Sequence, residues 1–243
     1  MVFLHGLGAK AQDWQPVIEK LDLSKHRVVA IDLLGFGESP KPDWKEYSAD
    51  DHASAVANNI KSLKVKKPIV LVGHSMGALI AARIARKYPK LVKHLVLYEI
   101  PVYADMPAQN VSDIRNRAYL KLFDTLVKNP KRTMRMWHFL GKVASSFVPV
   151  AIKPSSWIPF ERSLKNTIMQ DSIYKDLIKI KIPVDVIYGQ YDLVVIKRTM
   201  KKLFKSSLNV KFHKVNETHR ITPKTGSILN ELLQENTQSN PMQ

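Results

Sequence analysis

The chain has 243 residues, of which 45% are hydrophobic, so it can bury a substantial core within one elaborated domain. It contains no cysteine, which excludes a disulfide framework, a thiolate metal site and a cysteine nucleophile. The formal net charge is +17, but no basic stretch belongs to a recognisable nucleic-acid-binding motif, and we expect no nucleic-acid partner.

Short apolar, β-branched runs alternate along the chain with longer segments of helical period, which is typical of parallel strands joined by crossover helices. Strands are predicted at Val2–Leu4, Val28–Ile31, Ile69–Val72, Leu95–Tyr98, Val184–Tyr188 and Val210–His213. Helices are predicted at Trp14–Leu21, Ala49–Leu63, Met76–Lys87, Lys197–Phe204 and Lys224–Leu233. The alternation predicts an α/β protein with a mostly parallel sheet flanked by helices.

The segment from residue 101 to residue 181 breaks this alternation, because it has no convincing parallel strand and reads mostly as helices. We predict that it is a helical cap inserted into a core formed by residues 1–100 and 182–236. The polar tail from Gln234 onward, above all residues 237–243, is expected to be frayed.

A G-x-S-x-G sequence, Gly73-His74-Ser75-Met76-Gly77, lies between a predicted strand and a predicted helix. This is the context of a nucleophile elbow, in which the serine sits on a tight, strained turn. A β-carbon at either glycine would collide with neighbouring backbone. The turn also places the serine at a helix N-terminus, where amide dipoles favour developing negative charge. We therefore predict Ser75 as a nucleophile.

Two further loops occur in an order that matches a known family. His5-Gly6-Leu7-Gly8 follows the first strand and matches an HG-x-G loop, and Asp32–Ser39 matches a D-x-x-G-x-G-x-S loop. Together with the elbow, these loops make the chain resemble the α/β-hydrolase superfamily, in its capped serine esterase and carbon–carbon hydrolase branch, over nearly its whole length.

This resemblance implies roles for the residues in those loops. The backbone amides of Leu7 and Met76 would form an oxyanion hole. His5 and His74 would line or brace the pocket, together with Gly6, while the Asp32–Ser39 loop would be structural.

A serine hydroxyl is a poor nucleophile near neutral pH, so it needs a base and a group that orients the base. Asp192 ends Gly189-Gln190-Tyr191-Asp192, which resembles the family's G-x-x-D acid turn, and His219 lies beyond the last strand. The order serine, aspartate, histidine is the one this fold uses. Thr218 stands before the base, where the family often has glycine. Glu99, after the fourth strand, is the alternative acid.

The other histidines are expected to be surface or packing residues rather than bases. They are His26, His52, His94, His138 and His213. No H-E-x-x-H spacing, dinucleotide loop or phosphate loop is present in the sequence, so we expect neither a metal site nor a cofactor.

Part of the predicted cap, Ile114–Val143, interleaves basic and apolar side chains. The basic ones are Arg115, Arg117, Lys121, Lys128, Lys131, Arg132, Arg135 and Lys142. One interpretation is an amphipathic lid with its charges in water. The other is a weak contact with an anionic lipid surface, or attraction of a carboxylate-bearing substrate. Met136, Trp137 and Phe139 would suit an apolar acyl or aromatic group.

A serine at the elbow disfavours dehalogenase or epoxide-hydrolase chemistry, whose members place a carboxylate there. We therefore expect cleavage of a small-molecule carboxylic ester, with a small to medium apolar acyl or aromatic group, through an acyl-enzyme. Two alternatives stay open. One is hydrolysis of a carbon–carbon bond in an anionic keto acid, and the other is a non-catalytic small-molecule binder of the same fold.

The first residues, MVFLHGLG, lack the length and basic flank of a signal peptide, and a cytoplasmic location is expected. The strand leading to the HG-x-G loop begins at residue 2, so the sequence does not include the antiparallel hairpin that precedes this strand in the family. Two interpretations stay open: the start is incomplete, or this is a shortened member. The Val28–Ile31 edge would then be bare and could pair with another chain. The protein is expected to be a monomer or a homodimer.

Overall fold

The computed structural model describes residues 1–24, 26–102, 114–135, 154–169, 173–197, 200–201 and 209–238. Six strands form one sheet in the order β2-β1-β3-β4-β5-β6, and each pairing is parallel. The strands are β1 (Val2–Leu4), β2 (Val29–Ile31), β3 (Ile69–His74), β4 (Val92–Tyr98), β5 (Val184–Gly189) and β6 (Val210–Val215). The α/β class and all six predicted strands are confirmed.

Several α-helices have both of their ends within the described residues. They are α1 (Gln15–Ile18), α2 (Ala49–Ser62), α3 (Met76–Lys87), α4 (Ile114–Lys128), α5 (Trp157–Ser163), α6 (Tyr174–Leu177) and α7 (Pro223–Gln238). A capping box starts α2, because the Ser48 hydroxyl accepts from the Asp51 amide and the Asp51 carboxylate accepts from the Ser48 amide. None of the helices in the described residues is long and apolar enough to cross a membrane.

Two predicted helix boundaries are wrong. The predicted helix Trp14–Leu21 is a 3₁₀ turn at Ala11–Trp14 followed by the short helix α1. It ends early because the next amides bond to carbonyls only three residues back, as in a tightening last turn. At the other end of the chain, α7 continues to Gln238 through part of the tail predicted to be frayed. Its buried residues Leu229 and Leu232 hold it on the sheet.

The central strands of the sheet, β3, β4 and β5, are covered on both faces and are almost wholly buried, whereas the edge strand β6 is partly exposed. On β3, Ile69 and Leu71 belong to the main hydrophobic cluster with α2 and α3. Val70 and Val72 point to the opposite face, where α1 and α7 contribute the second cluster. The helices on the two faces hold the strands in position. The HG-x-G loop, the elbow and the acid turn each follow the carboxyl end of a strand.

Helix α4, between β4 and β5, packs one side on the main hydrophobic cluster. On α4, Leu120, Phe123 and Val127 contact the main hydrophobic cluster, whereas Lys121 and Lys128 are exposed. This arrangement matches the amphipathic interpretation of the basic segment. The limits of the cap stay a prediction, and Met136, Trp137, Phe139 and Lys142 lie outside the described residues.

Hydrogen bonds fasten α5 and the turn after it to the loop that precedes α2. The guanidinium of Arg162 donates to the carbonyls of Asp43 and Lys45, both at 2.6 Å. The hydroxyl of Thr167 donates to the carbonyl of Tyr47 at 2.9 Å. These bonds hold residues 162–167 in a fixed position against the loop before α2.

Three neighbouring strands share a buried charged group near the amino end of β5. Asp185 accepts from His94 Nε2 at 2.6 Å and from His213 Nε2 at 2.7 Å. Although burial alone would raise the pKa of Asp185, the hydrogen bonds from His213 and His94 hold it well below its usual range. The two histidines therefore act as packing residues that tie β4 and β6 to β5, as predicted for them.

A second charged group joins α6 to α3, the helix that begins after Ser75. The buried carboxylate of Asp176 pairs with Arg83 Nε at 2.6 Å and with Arg86 Nε at 2.5 Å. Arg83 also reaches Asp50 at the start of α2, at 2.7 Å. Removing one partner of a buried pair leaves an uncompensated charge, which costs far more than losing a surface pair.

Replacing Asp176 by alanine is therefore expected to lower the free energy of unfolding by about 3–5 kcal/mol. Urea unfolding at neutral pH measures the loss. The matched control is Asp124→Ala, which removes the exposed pair with Lys128 at 2.6 Å on α4 and should change stability by less than about 1 kcal/mol. Equal losses in the two variants would contradict a stabilising role for the buried group.

Candidate active site

Ser75 occupies a strained turn between β3 and α3. Its backbone has φ 53° and ψ −122°, in a region that non-glycine residues rarely adopt, and its amide donates to the Tyr98 carbonyl at 2.9 Å. A β-carbon on Gly73 would clash with the carbonyl of Gly77. One on Gly77 would lie 2.5 Å from the His5 carbonyl oxygen. Both glycines are thus required for the turn to pass so close to its neighbours.

His219 lies between the serine and an acid in a continuous hydrogen-bonded row. Its Nε2 is 2.9 Å from Ser75 Oγ, and its Nδ1 is 2.7 Å from Asp192 Oδ2. All three residues are buried. Because a carboxylate only accepts, the Nδ1 proton faces Asp192, and Nε2 is left to accept from the serine hydroxyl.

Asp192 is ionised by its surroundings. Its Oδ1 accepts from the amides of Val194 at 2.6 Å and Val195 at 3.1 Å, while Oδ2 accepts from His219. Burial alone would raise the pKa of Asp192, but the hydrogen bond from His219 and the other donors hold it well below its usual range. The carboxylate is therefore charged and fixed in direction at neutral pH.

The loop that carries His219 is held by side chains from two other strand ends. The His74 ring donates from Nε2 to the carbonyl of His219 at 3.1 Å, and burial lowers the pKa of His74 to about 3, so this ring is neutral. The hydroxyl of Tyr98 donates to the carbonyl of Arg220 at 2.8 Å and accepts from Thr225 at 3.1 Å. His74 thus braces the histidine loop, and Tyr98 is a support that the sequence analysis missed.

The HG-x-G loop lies against the elbow. A β-carbon on Gly6 would be 3.2 Å from the β-carbon of Ser75 and 3.2 Å from His74 Nδ1, so the loop passes directly over the serine. His5 is fully buried, its Nδ1 donates to the carbonyl of Gly6 at 2.8 Å, and its Nε2 accepts from the amide of Leu33 at 2.9 Å. Burial lowers the pKa of His5, which keeps the ring neutral in this bracing position.

The loop Asp32–Ser39 is structural, as expected. The carboxylate of Asp32 accepts from the amides of Ala11 at 2.6 Å and Glu38 at 2.9 Å. Gly37 has φ 49°, and a β-carbon there would clash with the Asp32 carboxylate. Asp32 therefore ties the turn after β2 to the start of the first helical segment.

Glu99 lies beside the row rather than in it. It follows β4, and its side chain is fully buried. One carboxyl oxygen of Glu99, one carboxyl oxygen of Asp192 and one ring nitrogen of His219 lie within 4.8 Å of one another. The hydrogen-bond partner of His219 is Asp192. Of the two candidate acids, the structure places Asp192 in the orienting position.

Three of the remaining histidines are hydrogen bonded to groups other than Ser75. His52 Nε2 is 3.0 Å from the hydroxyl of Ser163, a second buried serine–histidine contact, which joins α2 to α5. His94 and His213 bind Asp185, as described above. His138 lies outside the described residues.

These positions share one origin in the fold. The HG-x-G loop, the elbow, Glu99, Asp192 and His219 follow β1, β3, β4, β5 and β6, so a parallel sheet brings them to one edge. The sequence profile of the family described as "alpha/beta hydrolase fold" matches residues 1–223. The chain belongs to the α/β-hydrolase family.

Individual members of the family resemble this chain to different extents. The probable lysophospholipase BODYGUARD 4 of Arabidopsis thaliana is 34% identical over 118 residues, 48% of this chain and 28% of that protein. A pimeloyl-[acyl-carrier protein] methyl ester esterase of Legionella pneumophila is 26% identical over 215 residues, 87% of this chain and 83% of that protein. The solved structure of the esterase EaEST from Exiguobacterium antarcticum matches with a TM-score of 0.77 at 19% identity, covering 98% of this chain and 91% of that one.

The coverage limits what these similarities show. The chain spans between 23% and 28% of the length of four BODYGUARD relatives. At 19% identity, the similarity to EaEST shows the shared fold. Family membership rests on the profile match, and the reaction is a proposal.

Proposed function

We propose that this protein is a serine hydrolase that cleaves a carboxylic ester of a small to medium apolar acyl or aromatic compound through an acyl-enzyme. The observation that carries the proposal is the row Asp192, His219, Ser75, with contacts of 2.7 Å and 2.9 Å. A nucleophile, a base and an orienting acid at hydrogen-bonding distance are the groups that acyl transfer requires.

Acylation begins when Ser75 Oγ attacks the carbonyl carbon of the ester. His219 Nε2 takes the hydroxyl proton as the new carbon–oxygen bond forms, and the carbonyl electron pair moves onto oxygen. The amides of Leu7 and Met76 bind this oxyanion in our proposal. Support comes from the HG-x-G loop, which passes over Ser75, and from the position of Met76 as the first residue of α3.

Collapse of the tetrahedral intermediate breaks the bond to the alcohol, which leaves with the proton from His219. Water then attacks the acyl group on Ser75 and gives its proton to His219 Nε2. The second intermediate expels the serine oxygen, which takes that proton back, and the free acid departs. Asp192 remains ionised throughout, since it stabilises the imidazolium without accepting its proton.

The choice of an ester is supported by relatives as well as by geometry. The Legionella pneumophila relative, which this chain matches over most of its length, is named a methyl ester esterase. The exposed Lys121 on α4 would favour a substrate or surface that carries negative charge, whereas Lys128 on the same helix is paired with Asp124. Contact with an anionic lipid surface stays a prediction.

Steady-state hydrolysis of p-nitrophenyl esters from acetate to long acyl chains tests the proposal. We expect many turnovers per molecule and a maximum of kcat/KM at short to medium chains. A single burst of one equivalent would contradict turnover and favour a small-molecule binder. Absence of hydrolysis across the series would contradict the esterase proposal and favour carbon–carbon cleavage.

A further inference from the structure

Glu99 has a left-handed backbone conformation that is unfavourable for a glutamate. It is one of four non-glycine residues with positive φ in the described residues, at 51°, and Ser75 is another. Its amide donates to the carbonyl of Ile187 at 2.9 Å, which holds the strained backbone at the end of β4. A strained, fully buried acid next to a reactive centre calls for a functional explanation.

The carboxyl of Glu99 is packed among the ends of three strands. A β-carbon on Gly189 would lie 2.6 Å from Glu99 Oε1, so the side chain presses against the end of β5. Its polar atoms lie within 4.8 Å of those of Asp192 and His219. Neither buried Glu99 oxygen receives a hydrogen bond from a donor in the described residues.

The charges around Glu99 oppose its ionisation. Burial raises the pKa of Glu99 to about 11, and the Asp192 carboxylate acts in the same direction. The Gly189 amide, whose approach falls short of standard hydrogen-bond geometry, and Lys197 act in the opposite direction. The ammonium of Lys197 binds the carbonyl of Gln190 instead of the carboxyl.

Two carboxyl groups can share this space only if one carries a proton. Asp192 already has three donors and remains the charged member. Two ionised carboxylates facing each other would both be acceptors. A proton on Glu99 supplies the hydrogen-bond donor that the pair would otherwise lack. Among the other titratable groups near this cluster, Tyr98 and Glu217 carry no positive charge, and burial lowers the pKa of His74 to about 3, so that ring is neutral. The Lys224 ammonium pairs with Glu217 at 3.6 Å.

We propose that Glu99 is a protonated positioning residue, whose carboxylic acid O–H donates a hydrogen bond to the Asp192 carboxylate behind the proposed triad. The pair holds one proton and one negative charge, and that proton stays in place during the reaction. By drawing charge from Asp192, Glu99 limits how strongly the carboxylate stabilises protonated His219. Its role in the reaction rests on the proposed function, but its protonation does not.

Infrared difference spectroscopy tests the protonation independently of any activity. The spectrum of the Glu99→Gln variant is subtracted from that of the wild type, both recorded at neutral pH. EDTA is present so that no divalent cation replaces the proton. The difference should show the carbonyl band of a protonated carboxylic acid. The matched control is Glu46→Gln, whose carboxylate is 73% exposed and should contribute a carboxylate band alone. A carboxylate band from Glu99 would overturn the proposal, even if the protein hydrolyses esters.

The pH profile of kcat/KM tests the effect on His219. Glu99→Gln keeps a neutral donor and should have the acid limb of the wild type. Glu99→Leu removes the donor, so the Asp192 carboxylate stabilises protonated His219 more strongly. The acid limb of the profile should therefore move to higher pH by about one pH unit. Coinciding limbs in all three proteins would overturn the positioning role. If the leucine variant fails to fold, the infrared band still decides whether Glu99 is protonated.

Discussion

Replacing Ser75 by alanine is expected to slow ester hydrolysis by at least about 10³-fold and to abolish covalent labelling by a fluorophosphonate. The substitution removes the oxygen that forms the acyl-enzyme, and His219 then has no hydroxyl proton to accept. The oxyanion amides and the bound substrate geometry would remain, so a small residual rate over water is expected. Mass spectrometry of the labelled wild type should place one adduct on the peptide that contains Ser75.

Ser163 offers a matched control for this experiment. It is also buried and also contacts a histidine ring, with 3.0 Å between its hydroxyl and His52 Nε2. It does not sit on an elbow, and burial lowers the pKa of His52 to about 3, which makes that ring a very weak base. Ser163→Ala should therefore keep both the label and the turnover. A label that persists in Ser75→Ala would contradict the assignment of the nucleophile.

The groups around Ser75 could be predicted because each belongs to a short local pattern. The elbow, the acid turn and the base each follow a strand of the sheet, and parallel strands present their carboxyl ends at one edge. The order of the patterns along the chain therefore predicts that Ser75, Asp192 and His219 meet. The departure at Thr218 does not displace the histidine, since His219 Nε2 still lies 2.9 Å from the serine.

Contacts between distant elements could not be predicted, because they depend on strand register and on side-chain rotamers. The buried pairs of His94 with Asp185 and of Arg83 with Asp176 join residues 91 and 93 positions apart. Nothing in the sequence around Glu99 indicates a positive φ. The Glu99 amide is hydrogen bonded to the carbonyl of Ile187 on β5, and this bond holds the positive φ. Glu99, the alternative acid of the sequence analysis, therefore lies beside Asp192.

Replacing Asp192 by asparagine is expected to lower kcat by about 10³- to 10⁴-fold, with a much smaller change in KM. In the wild type, Asp192 Oδ2 lies 2.7 Å from His219 Nδ1 and keeps the ring proton on that nitrogen. The side-chain amide of asparagine does not fix the proton there, because its NH₂ group is itself a donor. The ring can then keep its proton on Nε2, where it faces the Ser75 hydroxyl as a donor and cannot act as a base. Asparagine also leaves the imidazolium that forms during attack without a neighbouring charge.

Asp185→Asn is the matched control for Asp192→Asn, since it makes the same change to another buried aspartate that binds histidines. Asp185 lies near the amino end of β5, whereas Asp192 follows the carboxyl end of that strand, and Asp185 is bonded to His94 and His213 rather than to His219. Measured at a temperature where both variants are folded, Asp185→Asn should retain the wild-type kcat within a few-fold. A comparable loss in the two would attribute the effect to stability rather than to orientation of His219. A wild-type rate in Asp192→Asn would show that another group orients the base.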